Sequence, residues 1–250
     1  MNKKKEFRKL ITLTKKYLKQ EKERGVELIK KPKHTATAVK SAVKNAPADK
    51  KQQLEQLSLE ASHCTKCNLS KTRIKVVFGQ GNPSARLMFI GEGPGYDEDR
   101  QGMPFVGRAG QLLTSIINAM HLKREDVYIA NIVKCHPLKD ATNIESRGND
   151  RAPDPEETNA CFPFLIKQIE IIKPEVIVTL GAPSTRTLLG MSGDPEYNNK
   201  VSISAVRGKF FDFKGIKLLP TFHPAFLLRD PNQKKFVWED MQKIMKLLNI

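Results

Sequence analysis

The sequence predicts an α/β protein built on a mostly parallel sheet with helices covering both faces. Two observations predict it. Short apolar runs of strand length alternate with amphipathic stretches of helical period, and the alternation recurs from residue 86 towards the C-terminus. Helices of roughly 10 to 15 residues between strands imply crossover connections, which bury a parallel sheet on both sides. Ligands of such sheets sit in the crevice beyond the strands' carboxyl ends. A site is therefore expected at Gly91 to Gly95, Asn131 to His136, Gly181 to Pro183, and His223-Pro224.

The first 50 residues hold 16 Lys/Arg against 5 Asp/Glu, out of 43 and 27 in a 250-residue chain of net charge +16. The basic excess is thus mostly a tail. Residues 1–50 read as a largely flexible extension with one short amphipathic helix near Phe7 to Leu28, because no apolar stripe is sustained beyond it. Such a tail either contacts a polyanion or a protein, through counterion release in the first case, or only solubilises the chain. Residues 51–250 are expected to form the folded domain.

No run of ~18 apolar residues exists, which excludes a membrane-spanning helix. The N-terminal MNKKKEFRKLITLTKKYLK lacks the continuous apolar region of a secretory signal. A cytoplasmic, reducing setting is expected, where four cysteines read better as thiol ligands than as two disulfides.

Along the domain, QQLEQLSLEASHC is a polar helix leading into Cys64-Thr-Lys-Cys67. RLMFIG reads as a buried strand, and AGQLLTSIINAM as a helix with Leu112, Leu113, Ile116, Ile117 and Met120 on one face. VYIANIV is the next strand. PEETNACFPFLIKQIEII follows as a helix, with Asp154 to cap it, Pro155 in its first turn, and Glu156 and Glu157 to complement its dipole. EVIVTLG is a strand and a helix opens at Pro183; GKFFDF and GIKLLPTFHP form a hairpin, and a helix through Phe236, Met241, Ile244 and Leu248 closes the chain.

Cys64 and Cys67 are spaced so that one tight turn presents two sulfurs to one centre. Cys135 lies just past a strand end and Cys161 in the next helix. Zinc and a 4Fe-4S cluster both take four thiolates, so ligand count leaves the two open, and Cys135 and Cys161 also read as small buried hydrophobes.

Gly91-Glu92-Gly93-Pro94-Gly95 matches neither common phosphate-loop pattern. Its glycines instead let backbone amides approach a flat ligand or a sugar phosphate closely. Phe105, between Pro104 and Gly107, is either presented to a pocket, where stacking on a base is worth ~1–3 kcal/mol, or is ordinary core.

GEGPGYDEDRQGMPFVGRAGQLL, NIVKCHP, PEETNAC and VRGKFFDFKGIKLLPTFHPAFLLRDP, preceded by CTKCNLSKTRIKVVFGQGNP, closely resemble family 4 uracil-DNA glycosylases over about Ala61 to Ile250. The resemblance implies a three-layer α/β/α sandwich with a central four-stranded, mostly parallel sheet. It also implies a 4Fe-4S cluster on Cys64, Cys67, Cys135 and Cys161. The expected activity is hydrolysis of the N-glycosidic bond of deoxyuridine in single- or double-stranded DNA by a monomer, after the base has been flipped from the stack.

Carried onto matching positions, Phe105 would stack on the extruded ring and Asn131 would pair with uracil O4 and N3–H, a pattern that cytosine reverses. His223 would donate to O2 as charge develops on the leaving base. Glu92 would orient water or offset the cationic sugar, and Glu98 would crowd the ring's C5 edge. Gly91, Gly93 and Gly95 would line the pocket. Arg229 would meet a phosphate, and Leu227 or Leu228 would either wedge into the vacated stack or pack the closing helix. The chain departs from the family in its long basic tail and in a longer segment between His136 and Ala160, with extra polar residues around 141–150.

A non-catalytic cluster-bearing DNA-binding module associated with replication is the main rival; the presence of Glu92, Phe105, Asn131 and His223 together argues against it. A zinc-bound nucleotide hydrolase would need a phosphate loop or a further ligand cluster that the sequence lacks.

Overall fold

The computed structural model describes residues 47–191 and 202–250. The expected helix near residues 7–28 and most of the basic extension lie outside them. No described helix is long and apolar enough to cross a membrane.

The chain enters through α1 (Pro47–Ser62), passes a single 3-10 turn (Asn68–Lys71) and a two-residue strand β1 (Gln80–Gly81), and then forms β2 (Leu87–Gly91), α2 (Tyr96–Gln101), α3 (Arg108–Ala119), β3 (Tyr128–Asn131), α4 (Pro155–Ile172) and β4 (Val176–Leu180). There follow α5 (Ala182–Met191), α6 (Ile203–Val206), β5 (Phe211–Phe213), β6 (Ile216–Thr221), α7 (Pro224–Arg229) and α8 (Lys234–Leu248). The start of α4 is as the sequence predicts: the Asp154 side chain accepts from Glu157 N at 2.8 Å, and the Glu157 carboxylate accepts from Asp154 N at 2.9 Å.

The sheet runs β1-β3-β2-β4-β6-β5. Its four inner strands are parallel, as expected, and carry short antiparallel partners at both edges. The β5–β6 hairpin is legible in the sequence. Strand β1 is not, since Gln80–Gly81 has no apolar run to mark it.

Alternate strand residues feed two separate cores. Met88, Ile90, Ala130 and Ile177 pack with α1 and α4 on one face, while Leu87, Phe89, Ile129 and Val178 pack with α3 and α8 on the other. This is the period-two alternation of a sheet buried on both sides, and it fixes three layers. β3 lies on one side of β2 and β4 on the other, so the connections diverge at the carboxyl end of β2 and open a crevice there.

Candidate active site

Register brings the first residues together. Gly91 of β2 pairs with Asn131 of β3, and the loop after β2 is fastened by Ile132 N donating to Gly91 O (3.0 Å) and Val133 N to Glu92 O (3.1 Å). Leu180 of β4 pairs with Thr221 of β6, and Gly181 N donates to Thr221 O at 2.9 Å, which sets His223 at the same rim. The rim opens into a cleft of about 340 Å³ lined by Glu92, Gly93, Gly95, Glu98, Phe105, Asn131 and His223.

Phe105 joins the two readings made of it. Its ring is 7% exposed and belongs to the core on the α3 side, yet it lines the cleft with its centroid 5.7 Å from that of His223, the planes tilted by 35°. Its backbone is left-handed (φ 53°), an uncommon state for a bulky residue that the surroundings must impose. Glu98 imposes much of it: Oε1 accepts from Val106 N (2.8 Å) and Gly107 N (2.9 Å), and Oε2 from Gly95 N (3.2 Å). On the other side Arg124 donates to the Pro104 carbonyl. Glu98 therefore lines the cleft while its carboxylate organises two loops around it.

Asn131 is 1% exposed and its Oδ1 has no hydrogen-bond partner among the described residues. A buried amide oxygen left unpaired costs free energy unless a ligand supplies a donor. Gly91 explains why it faces Phe105. A Cβ on Gly91 would lie 2.4 Å from Asn131 Oδ1 and 2.5 Å from Phe105 Cζ, so only a residue without a side chain lets the amide and the ring edge confront each other. Glu92 Oε1 is also buried without a partner, and burial pushes its carboxyl above the usual carboxylate range.

His223 caps α7. Its Nδ1 accepts from Ala225 N at 3.1 Å, which leaves Nε2 as the nitrogen bearing hydrogen in the neutral ring. Burial, with the Arg229 charge as a lesser cause, pushes its pKa down to about 4. The imidazole is neutral at pH 7, and its Nε2–H is available as a donor. Among the described residues, no lysine lines the cleft.

Arg229 does not line this cleft; it ends α7 and acts on His223 through its charge. The two leucines beside it part company. Leu227 is fully buried in the core, which removes it as a wedge, whereas Leu228 is 39% exposed.

The four cysteines line one small cavity, with Arg73, Lys134 and Phe164. Lys134 N donates to Cys161 Sγ at 3.2 Å and Arg73 Nη1 to Cys135 Sγ at 3.5 Å, the kind of donors that stabilise metal-bound thiolates. Burial pushes the Cys67, Cys135 and Cys161 thiols up, so their ionisation needs a compensating cation. Among the described residues no group of three or more His, Cys, Asp or Glu side chains gathers tightly enough to hold a single metal ion.

Several contributors escaped sequence reasoning. Gly110 of α3 packs against the Phe105 backbone. Lys134, 1% exposed, donates from Nζ to the Asn131 carbonyl (2.7 Å) and to Gln168 Oε1 (2.6 Å), tying the cysteine cavity to the strand end that carries Asn131. The polar segment noted around 141–150 folds back on the site, so that Arg147, Gly148, Asp150 and Arg151 join the cleft wall. Gly110 and Lys134 have no sequence signal, because each acts through close packing or burial that only the folded chain shows, whereas the 141–150 segment stood out as extra polar residues whose place at the cleft only the structure gives.

A family model described as the uracil DNA glycosylase superfamily matches residues 78–243. A type-4 uracil-DNA glycosylase of Thermotoga maritima is 47% identical over 193 residues, covering 76% of this chain and 92% of that protein. Similar proteins with the same name, from Sulfurisphaera tokodaii and Saccharolobus solfataricus, are 43% and 44% identical over 199 and 202 residues; each alignment covers 78% of this chain, with 84% and 87% of theirs.

Proposed function

The chain belongs to the uracil-DNA glycosylase superfamily, and from that membership we propose that it is a hydrolase of DNA repair that removes uracil from DNA by cleaving the N-glycosidic bond of deoxyuridine. The observation that carries the proposal is the meeting, in one cleft, of the Phe105 ring, an Asn131 amide oxygen lacking a partner, and a neutral His223 with hydrogen on Nε2.

The residues divide the work by their chemistry. The extruded base stacks on Phe105. Asn131 Oδ1 accepts from uracil N3–H while its Nδ2 donates to O4; cytosine, with an acceptor at N3 and a donor at C4, meets the wrong groups on both counts. His223 Nε2–H donates to O2 as the glycosidic bond breaks and negative charge gathers on the base. A neutral donor already oriented needs no rearrangement at that moment, which is why such groups favour the transition state over the ground state. Glu92, half-buried on the sugar side of the loop, positions the attacking water or offsets the cationic sugar. The residues assigned to the pocket, Glu92, Phe105, Asn131 and His223, include no lysine, which favours water as the nucleophile and a monofunctional enzyme over Schiff-base chemistry.

Cys64, Cys67, Cys135 and Cys161 would hold a 4Fe-4S cluster, which when bound cross-links three distant segments of chain. Such a cluster takes one thiolate per iron, and so asks for sulfurs spread around a cavity rather than gathered on one point. Arg229 and exposed Leu228 lie outside the cleft lining, and we assign them to a phosphate contact and to wedging into the vacated stack. The enzyme acts as a monomer in the cytoplasm on single- or double-stranded DNA, with residues 1–50 as an electrostatic tether. A chain lacking residues 1–46 should keep its activity and lose part of the salt dependence of DNA binding.

The test is incubation of cluster-loaded protein with a uracil-containing oligonucleotide, followed by alkaline cleavage of abasic sites. Strand scission is expected. Salt-dependent binding with no scission would leave the non-catalytic DNA-binding module as the answer.

A further inference from the structure

Helix α2 sets an electrostatic problem at the mouth of the cleft. Its first turn is Asp97-Glu98-Asp99, three carboxylates of which Asp97 and Glu98 line the cleft. Two are withdrawn by the fold. Glu98 receives three backbone N–H groups, and Asp99, 2% exposed, accepts from Ile74 N at 3.1 Å. Asp97 remains on the cleft wall.

The segment between Leu138 and Asp150 meets it. An antiparallel bridge pairs Leu138 with Asp150, Lys139 N donates to Asn149 O (2.9 Å), and the Asn149 side chain spans the loop through the Asp140 and Asn143 carbonyls, each at 2.8 Å. His136 Nε2 and Asp150 Oδ1, 2.6 Å apart, fasten its base. The loop then docks on α2: Arg100 Nη2 reaches Glu145 Oε2 at 2.5 Å, and the guanidiniums of Arg100 (3.5 Å) and Arg147 (4.5 Å) both stack over the Tyr96 ring. That stacking delivers Arg147 Nη2 to Asp97 Oδ1 at 3.0 Å, and both residues line the cleft.

The Arg147 side chain is 71% exposed and that of Asp97 29%. An ion pair so exposed adds little to folding stability, yet it sets the local field at the entrance. We infer that the loop closed by Leu138 and Asp150 conditions the DNA-facing rim of the cleft, with Arg147 neutralising Asp97 so that a phosphodiester backbone can pass α2. This rests on the DNA-directed reading above, and it assigns Arg147 to charge masking rather than to a phosphate contact of its own.

The test reads DNA affinity by fluorescence anisotropy, at low salt, on a uracil-free single-stranded oligonucleotide with the full-length, cluster-loaded protein. Arg147→Ala should weaken binding roughly fivefold, the scale of one unscreened charge a few ångströms from another in water. Arg147→Ala combined with Asp97→Asn should restore wild-type affinity. If the double variant stays as weak as Arg147→Ala, the arginine holds a phosphate directly and masking is wrong; if Arg147→Ala binds like wild type, the loop does not condition the rim. Arg147→Glu, with thermal melts matching wild type, repeats the test at larger amplitude. Because no base release is read, a protein that removes no uracil would sink the glycosylase reading and still decide this one.

Discussion

A Cβ on Gly110 would lie 1.9 Å from the carbonyl oxygen of Phe105. The first turn of α3 thus runs directly against the left-handed residue that floors the cleft, and the approach is possible only with hydrogen at that position. Gly110→Ala should push Phe105 out of place, destabilising the fold by about 1–3 kcal/mol through overpacking and lowering kcat/KM for uracil release roughly 100-fold through misplacement of the stacking surface. Thermal melts and single-turnover rates check both halves. An unchanged rate would mean that Phe105 does not position the base.

His223 makes the pH dependence specific. A group whose folded pKa falls below its unfolded value is charged more readily in the unfolded chain, so acid favours unfolding between the two values. Here that window runs from about 6.5 down to about 4, and above it the residue imposes no penalty. Base release should accordingly hold steady through pH 6.5 and decline only towards about 4. His223→Ala should slow the chemical step by roughly 100- to 1,000-fold, the cost of one lost oxyanion-type donor, while DNA binding persists. A wild-type profile that already halves near pH 6.5 would refute the neutral-donor role.

Cys161→Ser should remove the visible absorbance of the purified protein and lower its melting temperature, because metal binding and folding are coupled. Cys161 lies in the α4 core and accepts the Lys134 N–H. Loss of the cluster should therefore be felt at Asn131 through Lys134. Retained colour with full stability would show that this cysteine is only a small core residue.

Asp240 carries no chemistry yet holds the β6 end of the site. It is fully buried, accepts from Thr221 Oγ1 at 2.7 Å, and takes two bonds from Arg207 at 2.7 and 3.1 Å. Asp240→Ala would leave the buried Thr221 hydroxyl unpaired and the Arg207 guanidinium with only the Phe236 carbonyl and the more distant Glu239, a loss of roughly 3–5 kcal/mol. Denaturant titration checks it; a change below about 1 kcal/mol would mean that water replaces the carboxylate without cost.

What the sequence determined by itself was whatever repeats locally. Apolar runs such as LMFIG and VIVTL specify strands because burial on both faces requires apolar residues at every position, and the Asp154–Glu157 box specifies where α4 begins. The windows at the strand ends followed from the parallel topology, and the family resemblance singled out Glu92, Asn131 and His223 within them before any distance was known. Only the tertiary structure decided their states. The tautomer of His223 depends on one N–H at the start of α7, the attitude of Phe105 on Glu98, Arg124 and Gly110, and the orientation of Asn131 on the bare backbone of Gly91. Likewise Leu227 and Leu228, adjacent in sequence, separate into core and surface only once α7 is packed. Those states depend on how one N–H, one carboxylate or one bare glycine is oriented in space, whether the partner is close in the chain, as Ala225 is to His223, or distant, as Gly91 is from Asn131, and such orientation leaves no period, spacing or composition by which a linear reading can detect it.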